Sequence, residues 1–123
     1  MFDGGEMGIT YIEGRVKGPG GREKDISLLV DSGAHYTLLP QDIWKEIDLK
    51  PKRDMEFILA DGTKIKREVS ECYIEIEMGE GHTPVILGEK DDVAILGVVT
   101  LEILGLVFNP LKRTLSPMKA LLI

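Results

Sequence analysis

The chain is predicted to be mainly β: a closed or nearly closed barrel carrying one or two short helices. Three observations predict this. Apolar and polar residues alternate in many short runs, glycine and proline interrupt those runs at close intervals, and one run is apolar throughout. The 123 residues include 14 glycines, which implies many turns. That length suits a single domain, residues 1–123, able to bury roughly two thirds of the surface its unfolded chain exposes.

Ile9 to Lys17 reads as the first strand. Gly18-Pro19-Gly20-Gly21 turns the chain, and Glu23 to Val30 returns with Ile26, Leu28 and Val30 on one face. Tyr36 to Leu39 is a second short apolar run. Pro40 to Ile47 is expected to be a short helix, because Pro40 suits a first turn and Ile43, Trp44 and Ile47 share a face. Leu49-Lys50-Pro51 ends it, and Trp44 is read as core. Met55, Phe57 and Leu59 lead to Asp61-Gly62, read as a two-residue hairpin turn. The charged return, Lys64 to Val69, marks this hairpin as solvent-exposed along much of its length.

Glu71 to Met78 alternates through Cys72, Ile74, Ile76 and Met78. Gly79-Glu80-Gly81 is read as a turn and Thr83 to Leu87 as a strand. Val93 to Val99 is continuously apolar, as expected of a strand buried on both faces. Thr100 is placed as the cap of a short helix running to Leu104, with Gly105 as its stop. Leu106 to Phe108 is a strand, Asn109-Pro110 a turn and Arg113 to Ser116 a return.

Composition excludes several function classes. A net charge of −6 argues against nucleic acid as a main partner, since phosphate binding needs a basic face. No apolar run reaches the roughly 18 residues that span a membrane. Met1 to Glu6 lacks the basic and apolar regions of a signal peptide. Cys72 is the sole cysteine, so an intrachain disulfide is impossible and a reducing, cytoplasmic setting fits best. In an alternating strand it is expected to act as a small hydrophobe, with no catalytic role.

The chemistry centres on Leu28-Leu29-Val30-Asp31-Ser32-Gly33-Ala34. An acidic residue ends an apolar strand, where a carboxylate is costly unless something pairs with it. Ser32 supplies a hydroxyl, and Gly33 admits a close approach by backbone or by a second carboxylate. An Asp-Ser/Thr-Gly triplet arises by chance in roughly one chain in twenty of this length, and alone it is also compatible with a plain turn. Two carboxylates about 3 Å apart cannot both ionise, so one can take a proton from water while the other polarises a carbonyl. Such hydrolysis requires no metal and no cofactor. The chain holds one such triplet: Asp61-Gly62-Thr63 has the wrong order, and Asp3-Gly4-Gly5 lacks the hydroxyl. A second carboxylate therefore has to be Asp31 of another copy, brought in by a two-fold axis.

In the order and spacing of its motifs the chain resembles the retropepsin-like aspartic proteases, the retroviral enzymes and their single-domain cellular and prokaryotic relatives. Leu28 to Ala34 resembles their catalytic strand and loop, and Met55 to Val69, turning at Ala60-Asp61-Gly62-Thr63, resembles their flap. Val93 to Gly97 resembles the strand that threads beside the catalytic loop, and Thr100 to Gly105 the helix after it. The resemblance implies a homodimeric aspartic peptidase acting on peptide or protein substrates. Asp31 is then the catalytic carboxylate, Ser32 the hydroxyl that hydrogen-bonds across the dimer axis, and Gly33 the residue beside the substrate backbone. Ala60, Asp61, Gly62 and Thr63 close over the peptide, while Ala34, Ile58, Val93 and Ile95 wall the pocket.

The chain departs from that pattern in places. Its flap tip is less glycine-rich than in retroviral members and carries Asp61; Val98 stands where those members often have arginine. His35 is read as facing away from the cleft, and His82 as exposed beside a turn. The apolar tail Ala120 to Ile123 either adds a strand to a second copy or docks on its own subunit. The alternative function is a catalytically inactive retropepsin-like module for dimerisation or peptide binding, because a fold does not guarantee an activity.

Overall fold

Nine strands and two helices form within residues 10–119, the residues described by the computed structural model. In chain order they are β1 (Thr10–Lys17), β2 (Glu23–Val30), β3 (Thr37–Leu39), α1 (Gln41–Glu46), β4 (Arg53–Ile58), β5 (Lys64–Ile76), β6 (Gly79–Leu87), β7 (Ile95–Leu96), α2 (Val98–Ile103), β8 (Leu106–Asn109) and β9 (Thr114–Pro117). Ile9 and the Ala120–Ile123 tail lie outside the described residues. No helix among the described residues is long and apolar enough to cross a membrane.

The barrel closes. Six strands run in the order β1-β2-β7-β3-β6-β5, and β5 pairs back onto β1. Alternation sends Val16, Leu28, Val30, Leu39, Ile74, Val85 and Leu96 into its interior, all fully or almost fully buried. Most neighbours are antiparallel, but β2–β7 and β3–β6 are parallel. Those two pairings bring distant segments together beside the end of β2.

The expected strands Lys64 to Val69 and Glu71 to Met78 are one thirteen-residue strand. Its outer half pairs with β4, from Arg53↔Val69 to Ile58↔Lys64, as an arm off the barrel. Its inner half pairs with β6 and β1. Val69 and Ser70 are both buried, so both strand faces are covered where the arm leaves the barrel. The β5–β6 turn is Glu77-Met78, two residues before the expected glycine turn. Gly79 and Gly81 lie within β6 against α2, where an added Cβ would sit 3.5 Å from Leu104.

The continuously apolar run contributes a strand of only two residues. Val93 is exposed, whereas Ala94 is buried and its carbonyl accepts the Leu29 N–H at 2.9 Å. α2 starts at Val98, with Gly97 as its N-cap, so Thr100 sits inside the helix instead of capping it. Gly105, at φ +72°, ends it as expected. α1 ends earlier than expected, at Glu46, and Asp48 takes the left-handed conformation before Leu49 is reached. Trp44 packs partly buried against the core, and its Nε1–H donates to the Gly88 carbonyl at 2.8 Å.

Candidate active site

β2 delivers Asp31 to the surface. Leu28 and Val30 anchor the strand inside the barrel, and Leu29 and Val30 pair in parallel with Ile95 and Leu96. One residue later the chain turns sharply. The Asp31 carbonyl accepts the Ala34 N–H at 3.0 Å, and its Oδ1 accepts the Gly33 N–H at 2.8 Å. Asp31, Ser32 and Gly33 are all exposed. The desolvation expected of a carboxylate on a buried strand is avoided because the strand ends at Val30. A Cβ on Gly33 would lie 3.2 Å from Asp31 Oδ1, so glycine keeps that oxygen uncrowded.

The loop after Asp31 is held from below. The Ala34 carbonyl accepts the Val98 N–H and the His35 carbonyl the Val99 N–H, both at 2.9 Å. These donors open α2, where backbone N–H groups lack partners within the helix. Gly97 lies directly beneath the loop: an added Cβ would fall 2.4 Å from the Tyr36 carbonyl carbon. The Ile95-Leu96-Gly97 segment thus threads between β2 and β3 and under the turn that carries Asp31.

The β4–β5 arm touches the segment that follows the Asp31 turn. Its partly buried face carries Met55, Phe57 and Ile65, and Phe57 meets Tyr36 edge-on with ring centroids 6.0 Å apart. Strand alternation puts Ile58 on the opposite face, 69% exposed. The tip is a three-residue loop, Ala60-Asp61-Gly62, not the expected two-residue turn. Gly62 N–H donates to the Leu59 carbonyl at 2.9 Å, and Leu59 N–H to the Thr63 carbonyl at 2.7 Å. Gly62, at φ +88°, occupies the left-handed position that such a loop demands. The Thr63 hydroxyl and N–H both hydrogen-bond to Asp61 and hold its carboxyl below the ordinary value.

The sequence-predicted residues thus fall into three groups. Asp31, Ser32 and Gly33 form one exposed turn, with Ala34 half-buried behind them and Ile95 half-buried on β7. Ala60 to Thr63 are exposed at the tip of the arm, and Val93 is exposed two residues before Ile95. His35 is exposed, its ring 6.4 Å from that of Tyr36. Cys72 is buried, and burial pushes its thiol pKa up to about 12, so it stays a protonated, unreactive thiol.

The Tyr36–Phe57 contact was not foreseen, although both residues stand in apolar runs flanking the motifs. Three buried threonines, Thr37, Thr83 and Thr100, were also missed as a group. A hydroxyl inside the Val98 to Leu101 run was their one visible signal.

A family model described as "Aspartyl protease" matches residues 12–98 of the chain. No match is found among curated proteins. Among solved structures, the chain is similar to the solution structure of the simian foamy virus (mac) protease, with a TM-score of 0.55 and 17% sequence identity. The alignment covers 76% of this chain and 92% of that one. The architecture is accordingly the mainly β, two-helix fold of a retropepsin-like protease.

Proposed function

Because the chain belongs to the aspartyl protease family, we propose that it hydrolyses peptide bonds with a pair of carboxylates, Asp31 from each of two copies related by a two-fold axis. The observation that carries this reading is the state of Asp31. Its carboxylate is exposed on a tight turn, oriented by the Gly33 N–H, and the backbone that follows is bound to α2. The group is held in place while remaining open to a second copy.

In the pair, the ionised carboxylate takes a proton from a water molecule, and the water oxygen attacks the scissile carbonyl carbon. The protonated carboxylate gives its proton to the carbonyl oxygen. Collapse of the tetrahedral intermediate breaks the C–N bond, and the amine leaves with a proton returned from the pair. The two groups titrate as one unit that works while it holds a single proton. Activity is therefore expected on the acidic side of neutrality. Ser32 bridges the two loops, and the β4–β5 arm closes over the peptide with Ala60 to Thr63 at its tip. Ala34, Val93 and Ile95 are proposed wall residues, and Tyr36 and Phe57 join them; Ile58, exposed on the opposite face of the arm from Phe57, is left out.

The test is incubation with a degenerate peptide library across pH, using the parent and Asp31→Asn, with sedimentation of both. Cleavage by the parent that falls at least about 100-fold in the variant is the expected result. Equal cleavage by both, or a strict monomer at high concentration, overturns the assignment. Cleavage by neither, in a folded dimer, transfers the reading to a dimerisation or peptide-binding module.

A further inference from the structure

α2 meets the barrel through a polar contact set in an otherwise apolar interface. Thr37 on β3, Thr83 on β6 and Thr100 on α2 are 0%, 2% and 0% exposed. Their hydroxyls touch in series: Thr37 Oγ1 lies 2.6 Å from Thr100 Oγ1, which lies 2.7 Å from Thr83 Oγ1. Two further bonds fix the direction of the series. The Gly97 N–H donates to Thr37 Oγ1 at 3.0 Å, and the Thr83 hydroxyl donates to the Pro84 carbonyl at 3.2 Å.

A hydroxyl has one proton to give. Thr83 gives its proton to Pro84, so at the 2.7 Å contact it accepts from Thr100. Thr100 has then given its proton, so it accepts from Thr37. The series runs one way, from the Gly97 N–H through Thr37, Thr100 and Thr83 to the Pro84 carbonyl. Each hydroxyl donates once and accepts once. Reversing any link leaves a buried donor or acceptor without a partner, which is costly at residues this fully buried.

The upper end of this series is where the Asp31 loop is held. Gly97 lies under that loop, and the next two N–H groups, of Val98 and Val99, bind the Ala34 and His35 carbonyls. We propose that Thr37, Thr83 and Thr100 are positioning residues that set α2, and through it the Asp31 loop, at a defined height on the barrel. This rests on the reading of Asp31 as the catalytic carboxylate. None of the three touches the reacting atoms. Apolar packing alone has no direction and tolerates sliding, whereas a fully satisfied hydroxyl series specifies one separation between α2, β3 and β6.

Thr100→Val keeps the shape and cuts the series in the middle, stranding the Thr37 proton and the Thr83 acceptor. Thr100→Ser keeps the hydroxyl. Val16→Ala, a core change on β1, serves as a control for general destabilisation. Two readouts apply to all of them: amide hydrogen exchange by NMR, and kcat and KM on a cleaved peptide. In Thr100→Val, exchange at Val98 and Val99 is expected to quicken by about tenfold or more relative to the β5 amides. Its kcat is expected to fall by about tenfold or more, with KM near that of the parent. Thr100→Ser restores both, and in Val16→Ala the α2 and β5 amides shift together.

The proposal is overturned if exchange in Thr100→Val rises only in step with the barrel, or if kcat is unchanged in the folded variant. Should Thr100→Val not fold, Thr83→Val, which removes only the end of the series, is judged by the same two criteria. Exchange needs no activity, so a parent that cleaves nothing defeats the catalytic reading while the positioning role is still decided.

Discussion

Asp31 and Asp61 make the same local contact. Each carboxylate accepts a backbone N–H from two residues further on, Gly33 at 2.8 Å and Thr63 at 2.9 Å, and each sits on an exposed turn beside a glycine. They differ in what lies beneath them. The Asp31 turn is followed by carbonyls bound to Val98 and Val99, and Gly97 passes under it. The Asp61 turn is closed only by its own hairpin, Gly62 to Leu59 and Leu59 to Thr63, and an added Cβ on Gly62 meets nothing within 4 Å. One turn is tied to segments over sixty residues away, and the other is tied to itself. A turn of the second kind can open locally without disturbing the barrel, as a closing arm requires.

Glycine substitutions test that contrast most strongly. Gly97→Ala drives a methyl to 2.4 Å from the Tyr36 carbonyl carbon, where backbone must move. We expect a loss above about 3 kcal/mol in urea unfolding, together with loss of peptide cleavage. Gly62→Ala meets no neighbour and bears only the left-handed backbone of its φ of +88°, so about 1 kcal/mol is expected, felt mainly in the arm. A larger loss for Gly62→Ala than for Gly97→Ala would reverse the contrast.

This contrast also marks what the residues alone disclose. The barrel strands were legible because alternation is a local property: β2 runs from Glu23 to Val30 as its pattern says. The Asp31 turn was legible because Asp31, Ser32 and Gly33 are adjacent. The long-range devices were not. Val93 to Val99 was marked as buried, but nothing local shows that only Ile95 and Leu96 pair, since their partners are Leu29, Val30 and Leu38. Thr100 read as a cap because threonine favours that position, and its hydroxyl is instead used by Thr37 and Thr83 from two other strands. Gly79 and Gly81 read as a turn because glycine favours turns, but they lie in a strand against Leu104. In each miss a residue with a strong local preference was committed to a partner far away in sequence.

The smallest effect tests whether the arm is independent of the Asp31 loop. Hydrogen bonds from the Thr63 hydroxyl and N–H hold the Asp61 carboxyl below its ordinary 3.8. A lowered folded pKa means the ionised form is favoured by the fold. The stabilisation is present above 3.8 and is lost as pH falls through the folded value, so acid loosens the tip of the arm. Thr63→Val removes the hydroxyl and keeps the N–H, so the Asp61 midpoint should move part of the way back up in an NMR titration. Because the carboxyl is fully exposed, the shift should register in the tip and nowhere else. The amide signals of Gly33, Val98 and Val99, in and beneath the Asp31 loop, should be the same in parent and variant. Signals of Gly33, Val98 or Val99 that move with Thr63→Val would show the two acidic turns to be coupled, and the arm would then not be independent of the Asp31 loop.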